Sequence, residues 1–430
     1  MRERQDEHLP RACDVCIVGA GAAGLWAAAR VTGRSIVLLE KMPRTGTKVL
    51  ASGGTRCNLT TTLASEAAGE LFGPRAARFL RPALRALSPA ELRARFFALG
   101  VPTVEAPLEK IFPESGRARD VRDALERAAL ASGARIHCDQ GVQSIERKSS
   151  AWRVHTSGGA ALECASLIVC PGGASYPRTG TTGDGYAWLA ELGVAVVEPV
   201  PALVPLSSPA IWVRELTGIA VQDVIAKLFD ANGALLGTRQ RPILFTHRGV
   251  SGPGAMDLSA PVARAQMQAR RRGEQSPPFV LRLDLQPSLE REALRARLIE
   301  RAGDAGAPRV SRALDQPLPA RLLEAVARQA DLAAADPRIN GLDRAARHRW
   351  IEALKGLDVP IDGTLGFDHA EVTAGGLALS HVDPGTMQVR GFEGLFACGE
   401  ILDIDGPIGG LNFQAAFATA ELAARAVSAS

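Results

Sequence analysis

Two short apolar runs enclose a segment rich in glycine and alanine near the start of the chain. The runs are residues 14–18 (DVCIV) and 36–39 (IVLL), and the residues from 22 to about 31 have a helical pattern. An apolar run of this length, bounded by turn residues, is typical of a buried strand. Residues 14–40 are therefore predicted to form a strand, a tight turn, a helix and a second strand. This is the βαβ opening of a doubly wound parallel sheet.

The pattern changes further along the chain. Short alternating runs between residues 142 and 169 predict a small antiparallel meander whose last strand returns into the sheet. From about residue 199 to 368, mixed strands give way to helices rich in arginine, leucine and alanine. The sheet resumes with the buried strand in GLFACGE (394–400), and a glycine-led helix follows. An insertion between two halves of one nucleotide-binding domain fits this order.

This organisation predicts an α/β fold, with a split Rossmann-like domain, an inserted β-rich domain and a small helical domain. The predicted boundaries are 1–198 for the first part of the nucleotide-binding domain, 199–310 for the β-rich insertion, 311–368 for the helical subdomain and 369–430 for the second part of the nucleotide-binding domain.

The first turn carries the spacing of a dinucleotide-binding fingerprint, with Gly19, Gly21 and Gly24 between strand and helix. The first glycine permits the tight turn, the second lets a pyrophosphate approach the backbone, and the third lets the helix pack on the strand. Glu40 ends the second strand, where a carboxylate can accept hydrogen bonds from both ribose hydroxyls. The same charge disfavours a 2′-phosphate, and therefore NADP, at this position.

The late part of the chain favours FAD over NAD as the resident cofactor. An extended cofactor reaches across the sheet and needs a second set of contacts beyond its AMP half. Glu400 after the late strand can approach the ribityl or pyrophosphate region, and Gly409 and Gly410 begin a helix whose positive end can face the flavin. No second glycine fingerprint followed by an acid is present, so a separate NAD(P)H domain is not indicated. NAD alone at the single fingerprint is the alternative.

The segment SGGTRCN (52–58) is the leading candidate for a loop along the flavin ring. Cys57 in it could donate a proton to a substrate carbon, or could be a small buried residue packed on the ring. Lys48 could reach the flavin or a phosphate, or be solvated. Tyr176 could line the site, although turn chemistry alone also explains it. His247 is a further acid or base candidate, but Ser251 and Pro253 beyond it have the spacing of a helix start.

Composition and charge add limits to this interpretation. The sequence is 46% hydrophobic with a formal net charge of +4, and its 7 cysteines are too scattered for a disulfide framework. The N-terminal residues lack an apolar leader and no run of about 18 apolar residues occurs, which predicts a cytoplasmic protein with no membrane partner. Two arginine clusters could touch phosphates, namely Arg75, Arg78, Arg81 and Arg85, and Arg270 to Arg272. The enrichment of the whole chain in alanine, glycine and arginine favours the alternative, that these clusters are ordinary solvated faces. No metal site is predicted.

Several ordered blocks resemble the BaiN/YhiN-like flavoproteins, also described as NAD(P)/FAD-dependent oxidoreductases or aminoacetone-oxidase-family FAD-binding enzymes. The resemblance runs from about Asp14 to Ala426 and rests on GAGAAGL, LLEKMPRTGTKVLASGGTRCNLT, PGGASYPRTGTTGDGY, FTHRGVSGP and GLFACGEILDIDGPIGGLNFQAAFATA. It implies FAD and the split fold described above. Thr55 departs from the family pattern, since GGTRCN stands where GGGRCN is usual.

Motifs and resemblance together give the candidate site. The candidate catalytic residues are Cys57, Lys48 and Tyr176. The candidate cofactor contacts from the motifs are Gly19, Gly21, Ala22, Ala23, Gly24, Glu40, Lys41, Lys48, Ser52, Gly53, Gly54, Arg56, Cys57, Asn58, Gly172, Gly173, Gly399, Glu400, Gly409 and Gly410. The resemblance adds Thr373, Asp403, Asn412 and Gln414.

The expected activity is reduction of an activated C=C bond by hydride transfer from flavin N5, with NAD(P)H as a transient electron donor. The family suggests a conjugated small molecule or uracil in large-subunit ribosomal RNA, which would give dihydrouridine. Arginine abundance favours the RNA. An oxygen-using amine oxidase and a non-catalytic, flavin-carrying RNA-binding or assembly factor are the alternatives. The sequence leaves the oligomeric state open.

Overall fold

The computed structural model of the chain describes residues 9–303 and 306–430. The predicted lack of an apolar leader concerns residues 1–8, which lie outside the described residues. The strands are β1 Ala12–Val18, β2 Ile36–Leu39, β3 Thr60–Thr61, β4 Thr103–Ala106, β5 Lys110–Pro113, β6 Arg135–His137, β7 Val142–Lys148, β8 Ala151–Thr156, β9 Ala161–Val169, β10 Val196–Ala202, β11 Leu206–Ser207, β12 Ala220–Val221, β13 Ile225–Phe229, β14 Leu235–Gln240, β15 Ile243–Thr246, β16 Gly249–Ser251, β17 Phe279–Asp284, β18 Leu357–Ile361, β19 Gly363–Thr364, β20 Val372–Leu377 and β21 Leu395–Ala397.

The helices are α1 Ala22–Arg30, α2 Thr47–Thr55, α3 Ser65–Glu70, α4 Gly73–Ala86, α5 Pro89–Ala98, α6 Ala118–Ala131, α7 Asp184–Glu191, α8 Ile211–Glu215, α9 Pro253–Met256, α10 Ser259–Arg272, α11 Arg291–Ala302, α12 Ala320–Gln329, α13 Arg344–Lys355 and α14 Leu411–Ala429. Among the described residues, no helix is both long enough and apolar enough to cross a membrane.

The chain forms two compact units, of which the first runs to Pro199 and resumes at Glu371–Ser430. Its central sheet has the strand order β6-β2-β1-β9, and the pairs within this order are parallel. The β2 residues are all buried, as expected for a parallel strand covered by helices on both faces. Burial on both faces of the strand is the reason why these residues form an unbroken apolar run in the sequence.

Strand β9 belongs to both an antiparallel meander and the parallel sheet. Its first residues pair antiparallel with β8, and its last three pair parallel with β21. Val18 at the end of β1 pairs with Val169 at the end of β9, and Val169 pairs with Ala397 at the end of β21. The carboxyl ends of these strands therefore meet at one edge of the sheet. In open α/β sheets this is the edge where ligands bind.

Helix α14 packs on α1 through an aromatic cluster and a buried acid. The Trp26 ring lies 5.3 Å from the Phe417 ring, centroid to centroid. The fully buried carboxylate of Glu421 accepts hydrogen bonds from Trp26 Nε1 and Arg30 Nε, each at 3.0 Å. Burial raises the pKa of Glu421, but these bonds and those from Arg425 outweigh it, and the net pKa is lowered. The late helix is thus fixed against the first βαβ unit.

The second unit is Val200–Ala370. It contains one sheet in the order β12-β15-β16-β11-β19 and another in the order β14-β13-β17-β18, with antiparallel pairing throughout the order given. Helices α11, α12 and α13 add buried apolar residues to its core. The finer division of this segment into a β-rich and a helical domain stays a prediction.

The predicted fold class is confirmed: the chain is α/β, with a Rossmann-like domain and additional β-rich sheets. The predicted helix start in this segment is present, with Pro253 as the first helical residue, but Ser251 does not cap the helix. Ser251 ends β16, the helix after it covers only Pro253–Met256, and Gly252 occupies the cap position at φ 88°. A glycine in this backbone region replaces a side-chain cap.

Candidate functional site

The turn between β1 and α1 requires its glycines for close approach. Gly19 has φ 98°, and a Cβ at Gly24 would stand 1.8 Å from the Gly19 carbonyl oxygen. Any side chain at Gly24 would therefore push α1 away from the turn. A Cβ at Gly21 would meet no atom within 4 Å. The space over Gly21 is thus open, as a phosphate-binding turn requires.

Glu40 fixes the turn from the end of β2. Its carboxylate accepts the Ala20 N–H at 2.8 Å and the Met42 N–H at 2.9 Å. The residue is only 9% exposed, and this burial raises its pKa despite the two backbone bonds that favour the charged form. The acid predicted to bind ribose therefore also holds the glycine turn in shape.

Thr45 is a polar residue at this turn that the sequence reasoning missed. Its hydroxyl is buried and has no hydrogen-bond partner. The next residue, Gly46, donates its N–H to the Ala20 carbonyl at 2.8 Å, which brings Thr45 next to the fingerprint. A buried hydroxyl without a partner is costly unless a ligand satisfies it. The sequence signal that could have identified Thr45 was its position shortly after Glu40, the acid of the fingerprint.

A polar cluster joins residues from four distant segments. The Lys48 ammonium donates to Ser175 Oγ and to Glu400 Oε2, each at 2.6 Å. The other carboxylate oxygen of Glu400 accepts Ser175 Oγ–H at 2.8 Å and the Thr373 N–H at 2.9 Å. Thr373 Oγ1 in turn accepts the Ser175 N–H at 3.1 Å. We name Lys48, Ser175, Thr373 and Glu400 the lysine–glutamate cluster.

Glycines allow the segments of this cluster to approach one another. A Cβ at Gly173 would stand 2.4 Å from Thr373 Oγ1 and 3.1 Å from Glu400 Oε1. A Cβ at Gly399 would stand 3.0 Å from the Cβ of Ala23 in the fingerprint helix. The structure therefore brings the early fingerprint and the late segment together, as predicted from their order in the sequence. Gly172 lies beside Thr181 in the same loop.

The segment 52–58 ends α2 in a left-handed turn. Gly53, Gly54 and Thr55 have φ of 54°, 64° and 68°. Glycine adopts this backbone region without steric cost. Thr55 is β-branched, and such residues rarely adopt positive φ. The geometry explains why glycine is usual at this family position, and Thr55 stores strain there.

The side chains of this segment differ in exposure. Cys57 is fully buried, and desolvation raises the pKa of its thiol to about 12, although a hydrogen bond with Ser52 acts in the opposite direction. This placement favours the packing role over proton donation. The Arg56 guanidinium lies 4.5 Å from the centroid of the Phe112 ring. Asn58 Oδ1 accepts the Ile111 N–H at 3.3 Å.

Several predicted contacts in the late segment already bond to protein. Gln414 is fully buried, and its amide accepts the Thr60 hydroxyl and donates to the Leu87 carbonyl, each at 2.7 Å. Asn412 bonds both the N–H and the carbonyl of Gly406 at 2.8 Å. These bonds position both side chains at the start of α14, and the direct cofactor contact expected from the resemblance stays a prediction.

Other predicted residues have ionic partners or lie at turns. Lys41 forms an ion pair with Asp184 at 2.6 Å. The carboxylate of Asp403 pairs with Arg75, a residue of α4 that the site prediction did not include. A Cβ at Gly410 would stand 2.2 Å from the Thr60 carbonyl oxygen, whereas one at Gly409 would meet no atom within 4 Å.

The two tyrosines near the lysine–glutamate cluster differ in environment. Tyr176 has φ 53° and is 36% exposed, and partial burial together with Glu371 raises its pKa. The Tyr186 hydroxyl is buried without a hydrogen-bond partner. Burial raises the pKa of Tyr186 most, and the charges of Glu400 and Asp403 raise it further. The sequence reasoning missed Tyr186, because its position in a helix did not indicate that it lies near the site.

These residues fit FAD. Open space over Gly21, the unpartnered Thr45 hydroxyl and the Glu40 carboxylate suit an adenosine diphosphate half. Open space at Gly409, where α14 begins, suits a second contact at the far end of an extended cofactor. Among the described residues, no group of His, Cys, Asp and Glu side chains is arranged to hold a metal ion.

Comparison with known proteins agrees with this picture. The family model described as the HI0933-like protein Rossmann domain matches residues 13–426. The ribosomal RNA dihydrouridine synthase of Haemophilus influenzae is 28% identical over 422 residues, which cover 96% of this chain and 98% of that protein. The 3-dehydro-bile acid delta(4,6)-reductase of Clostridium scindens is 27% identical over 416 residues, with 96% and 98% coverage.

A solved structure supports the fold alone. The 3-ketosteroid delta1-dehydrogenase of Sterolibacterium denitrificans, in complex with 1,4-androstadiene-3,17-dione, has a TM-score of 0.51 with 13% sequence identity. The match covers 98% of this chain and 100% of that chain.

Replacement of Thr55 by glycine should stabilise the protein. Relief of the left-handed strain is worth about 1–2 kcal/mol, and the added freedom of glycine in the unfolded chain costs about 0.5–1 kcal/mol. The free energy of unfolding should rise by about 0.5–1 kcal/mol, measured by chemical denaturation. The control is Thr62→Gly, at an exposed threonine without positive φ, which should be destabilised. If the two variants are destabilised to the same extent, Thr55 is not strained in the wild type.

Removal of the Glu40 carboxylate should weaken FAD binding. Glu40→Ala loses charge-assisted hydrogen bonds, which corresponds to about tenfold to a hundredfold in the dissociation constant. Burial raises the pKa of Glu40 above the ordinary glutamate value of about 4.3, so the carboxylate becomes protonated at a correspondingly higher pH. The affinity of the wild type for FAD should therefore be full above the Glu40 pKa and fall as the pH drops through it. Titration of apoprotein with FAD at several pH values measures both effects.

Glu40→Gln should remove this pH dependence, because the amide does not titrate. Glu393→Gln, at a carboxylate whose side chain is 90% exposed, is the matched control and should bind FAD as the wild type does. A pH profile shared by wild type and Glu40→Gln would assign the dependence to another group.

Proposed function

The chain belongs to the HI0933-like Rossmann-domain family, the BaiN/YhiN-like flavoproteins, and we propose that this FAD-dependent oxidoreductase reduces an activated C=C bond, with uracil in large-subunit ribosomal RNA as substrate. The family membership bears out the resemblance found in the sequence. The observation that carries the proposed reaction is the lysine–glutamate cluster, which lies at the carboxyl edge of the parallel sheet. The substrate class is supported by the named activity of the Haemophilus influenzae relative.

The chemistry of uracil defines what the site must supply. Bound FAD supplies a hydride from N5. The C5=C6 bond of uracil is conjugated with the C4 carbonyl, so hydride addition at C6 moves negative charge onto O4, and a proton must reach C5. A cation near O4 and an acid near C5 are therefore required.

Lys48 suits the cationic role. Its ammonium is held by Ser175 and Glu400, each at 2.6 Å, so its position is fixed before substrate arrives. A preorganised charge stabilises developing negative charge without reorganisation during the reaction. In this proposal Glu400 and Ser175 act through Lys48 and are positioning residues.

Tyr176 is better placed than Cys57 for the acid role. Its ring is partly exposed beside Ser175, and its raised pKa keeps the hydroxyl protonated at neutral pH. Cys57 is enclosed in the core, where it would need the left-handed turn to open before it met a substrate. We propose Tyr176 as the proton donor and Cys57 as a residue that supports the turn.

NAD(P)H as a transient electron donor and a cytoplasmic location are parts of the same proposal. A second substrate class is a conjugated small molecule of the steroid type, which the Clostridium scindens relative supports by its name. Uracil and an unsaturated steroid ketone share a C=C bond conjugated with a carbonyl, so one arrangement of cation and acid serves both.

Product analysis tests the reaction. Anaerobic incubation of the NAD(P)H-reduced enzyme with unmodified large-subunit rRNA should convert a uridine to dihydrouridine, seen as the gain of two hydrogens by mass spectrometry of nucleosides. A steroid dienone is the competing substrate under identical conditions. If only the steroid is converted, the substrate is a small molecule and not rRNA. If amines are oxidised with consumption of oxygen, the protein is an amine oxidase and the proposed reaction is wrong.

The two half-reactions separate the proposed roles of Tyr176 and Cys57. Tyr176→Phe should leave flavin reduction by NAD(P)H near the wild-type rate and slow flavin reoxidation by substrate about a hundredfold to ten-thousandfold, the usual value of general acid catalysis. Cys57→Ala should retain the substrate half-reaction and lose some FAD content. Stopped-flow absorbance follows both steps. The reverse pattern would make Cys57 the acid and refute the role of Tyr176.

A further inference from the structure

Helix α4 has one apolar face and one face of arginines. Its buried residues are Ala76, Phe79, Leu80, Ala83 and Leu84. The exposed arginines follow helical spacing, and we name them the α4 arginine face: Arg75, Arg78, Arg81 and Arg85. Since α4 rises about 1.5 Å per residue, the face extends over about 15 Å. It is a row of positive charge rather than an isolated cation.

Most of this charge has no carboxylate partner. Helix α4 contains no acidic residue, and of the described residues none forms an ion pair with Arg78, Arg81 or Arg85. Some arginines elsewhere are compensated: Arg291 on α11 pairs with Glu352 on α13 at 3.0 Å. On α4, three exposed arginines without such a partner among the described residues follow one another along a single helix.

Nearby acids reduce the charge without cancelling it. The adjoining helix α3 carries two exposed glutamates, Glu66 and Glu70. Beyond the other end of α4, the Arg425 guanidinium donates to the Ala86 carbonyl at 2.9 Å and is itself about half exposed. Arg425 is also paired with the buried carboxylate of Glu421 at 2.9 Å, so it adds no unpaired charge to the face.

The N-terminal end of α4 is attached to the candidate site. Arg75 bonds the buried carboxylate of Asp403, three residues after Glu400. A Cβ at Gly406 would stand 2.6 Å from the Phe72 ring, just before α4, so the loop after Asp403 lies directly on this end of the helix. The arginine face therefore begins at the edge of the site and leads away from it.

We propose that the α4 arginine face binds the phosphates of the RNA strand whose uridine enters the site. This inference rests on the proposed function. Measured along the axis of a stacked strand, where the rise is about 3.4 Å per nucleotide, a length of about 15 Å takes in about four phosphates. Arginine matches phosphate with paired hydrogen bonds, and such contacts position a strand without reading its sequence. The target base itself is selected in the site.

The test compares two triple variants with equal loss of charge. Arg78→Ala/Arg81→Ala/Arg85→Ala removes the face and spares Arg75, which contacts the site. Arg270→Ala/Arg271→Ala/Arg272→Ala removes the exposed cluster at the end of α10 and is the matched control. FAD content and melting temperature of both variants establish that they fold. The probe is a fluorescein-labelled fragment of large-subunit rRNA, titrated with oxidised holoenzyme over a range of salt concentrations.

The α4 variant should bind RNA at least tenfold more weakly at about 0.15 M salt, and the slope of log affinity against log salt should fall in magnitude by about 2, for three lost contacts at about 0.7 each. The α10 variant should match the wild type. An equal effect of both variants, an unchanged α4 variant, or a wild type that does not bind RNA would overturn the proposal. If wild type binds RNA through α4 but forms no dihydrouridine, the proposed function fails and the RNA surface stands.

Discussion

The carboxylate of Glu400 is the interaction on which the site depends. It receives hydrogen bonds from Lys48 on α2, from Ser175 after β9 and from the backbone of Thr373 in β20. These residues come from parts of the chain separated by as many as 352 positions. Both carboxylate oxygens are satisfied, and a fully satisfied polar network fixes geometry more strongly than apolar packing does. The same carboxylate requires a glycine at position 173, because a side chain there would collide with its partner Thr373.

The sequence predicted the parts of the site that arise within one βαβ unit. Glu40 meets Ala20 because a strand, turn, helix and strand bring residues 20 apart to the same edge, whatever the rest of the chain does. Contacts between distant segments had no such local rule. Arg75 and Asp403 are 328 positions apart, and the sequence around either residue gives no indication that it contacts the other. The order of motifs predicted that early and late segments would meet, but not which side chains would touch.

Burial was the other property that sequence could not supply. Cys57 lies between polar residues in the chain, yet its side chain is in the core, because the left-handed turn at Gly53, Gly54 and Thr55 folds the segment back on itself. Similarly, Gln414 has a polar side chain at the start of a helix, where a cofactor contact was predicted, and nothing in the sequence indicated that it is fully buried and links α14 to Thr60 and Leu87. Residue type indicates what a group can do, and its surroundings decide what it does.

The two places where the second unit joins the first are held together. A Cβ on Gly375 would stand only 2.4 Å from the Glu198 carbonyl oxygen, so the chain leaves the first unit and re-enters it at nearly the same point. An insertion with adjacent ends adds little closure entropy and leaves the surrounding contacts intact, whatever its length. In evolutionary terms, the second unit could be lengthened, recombined or rebuilt while the cofactor-binding half was inherited unchanged.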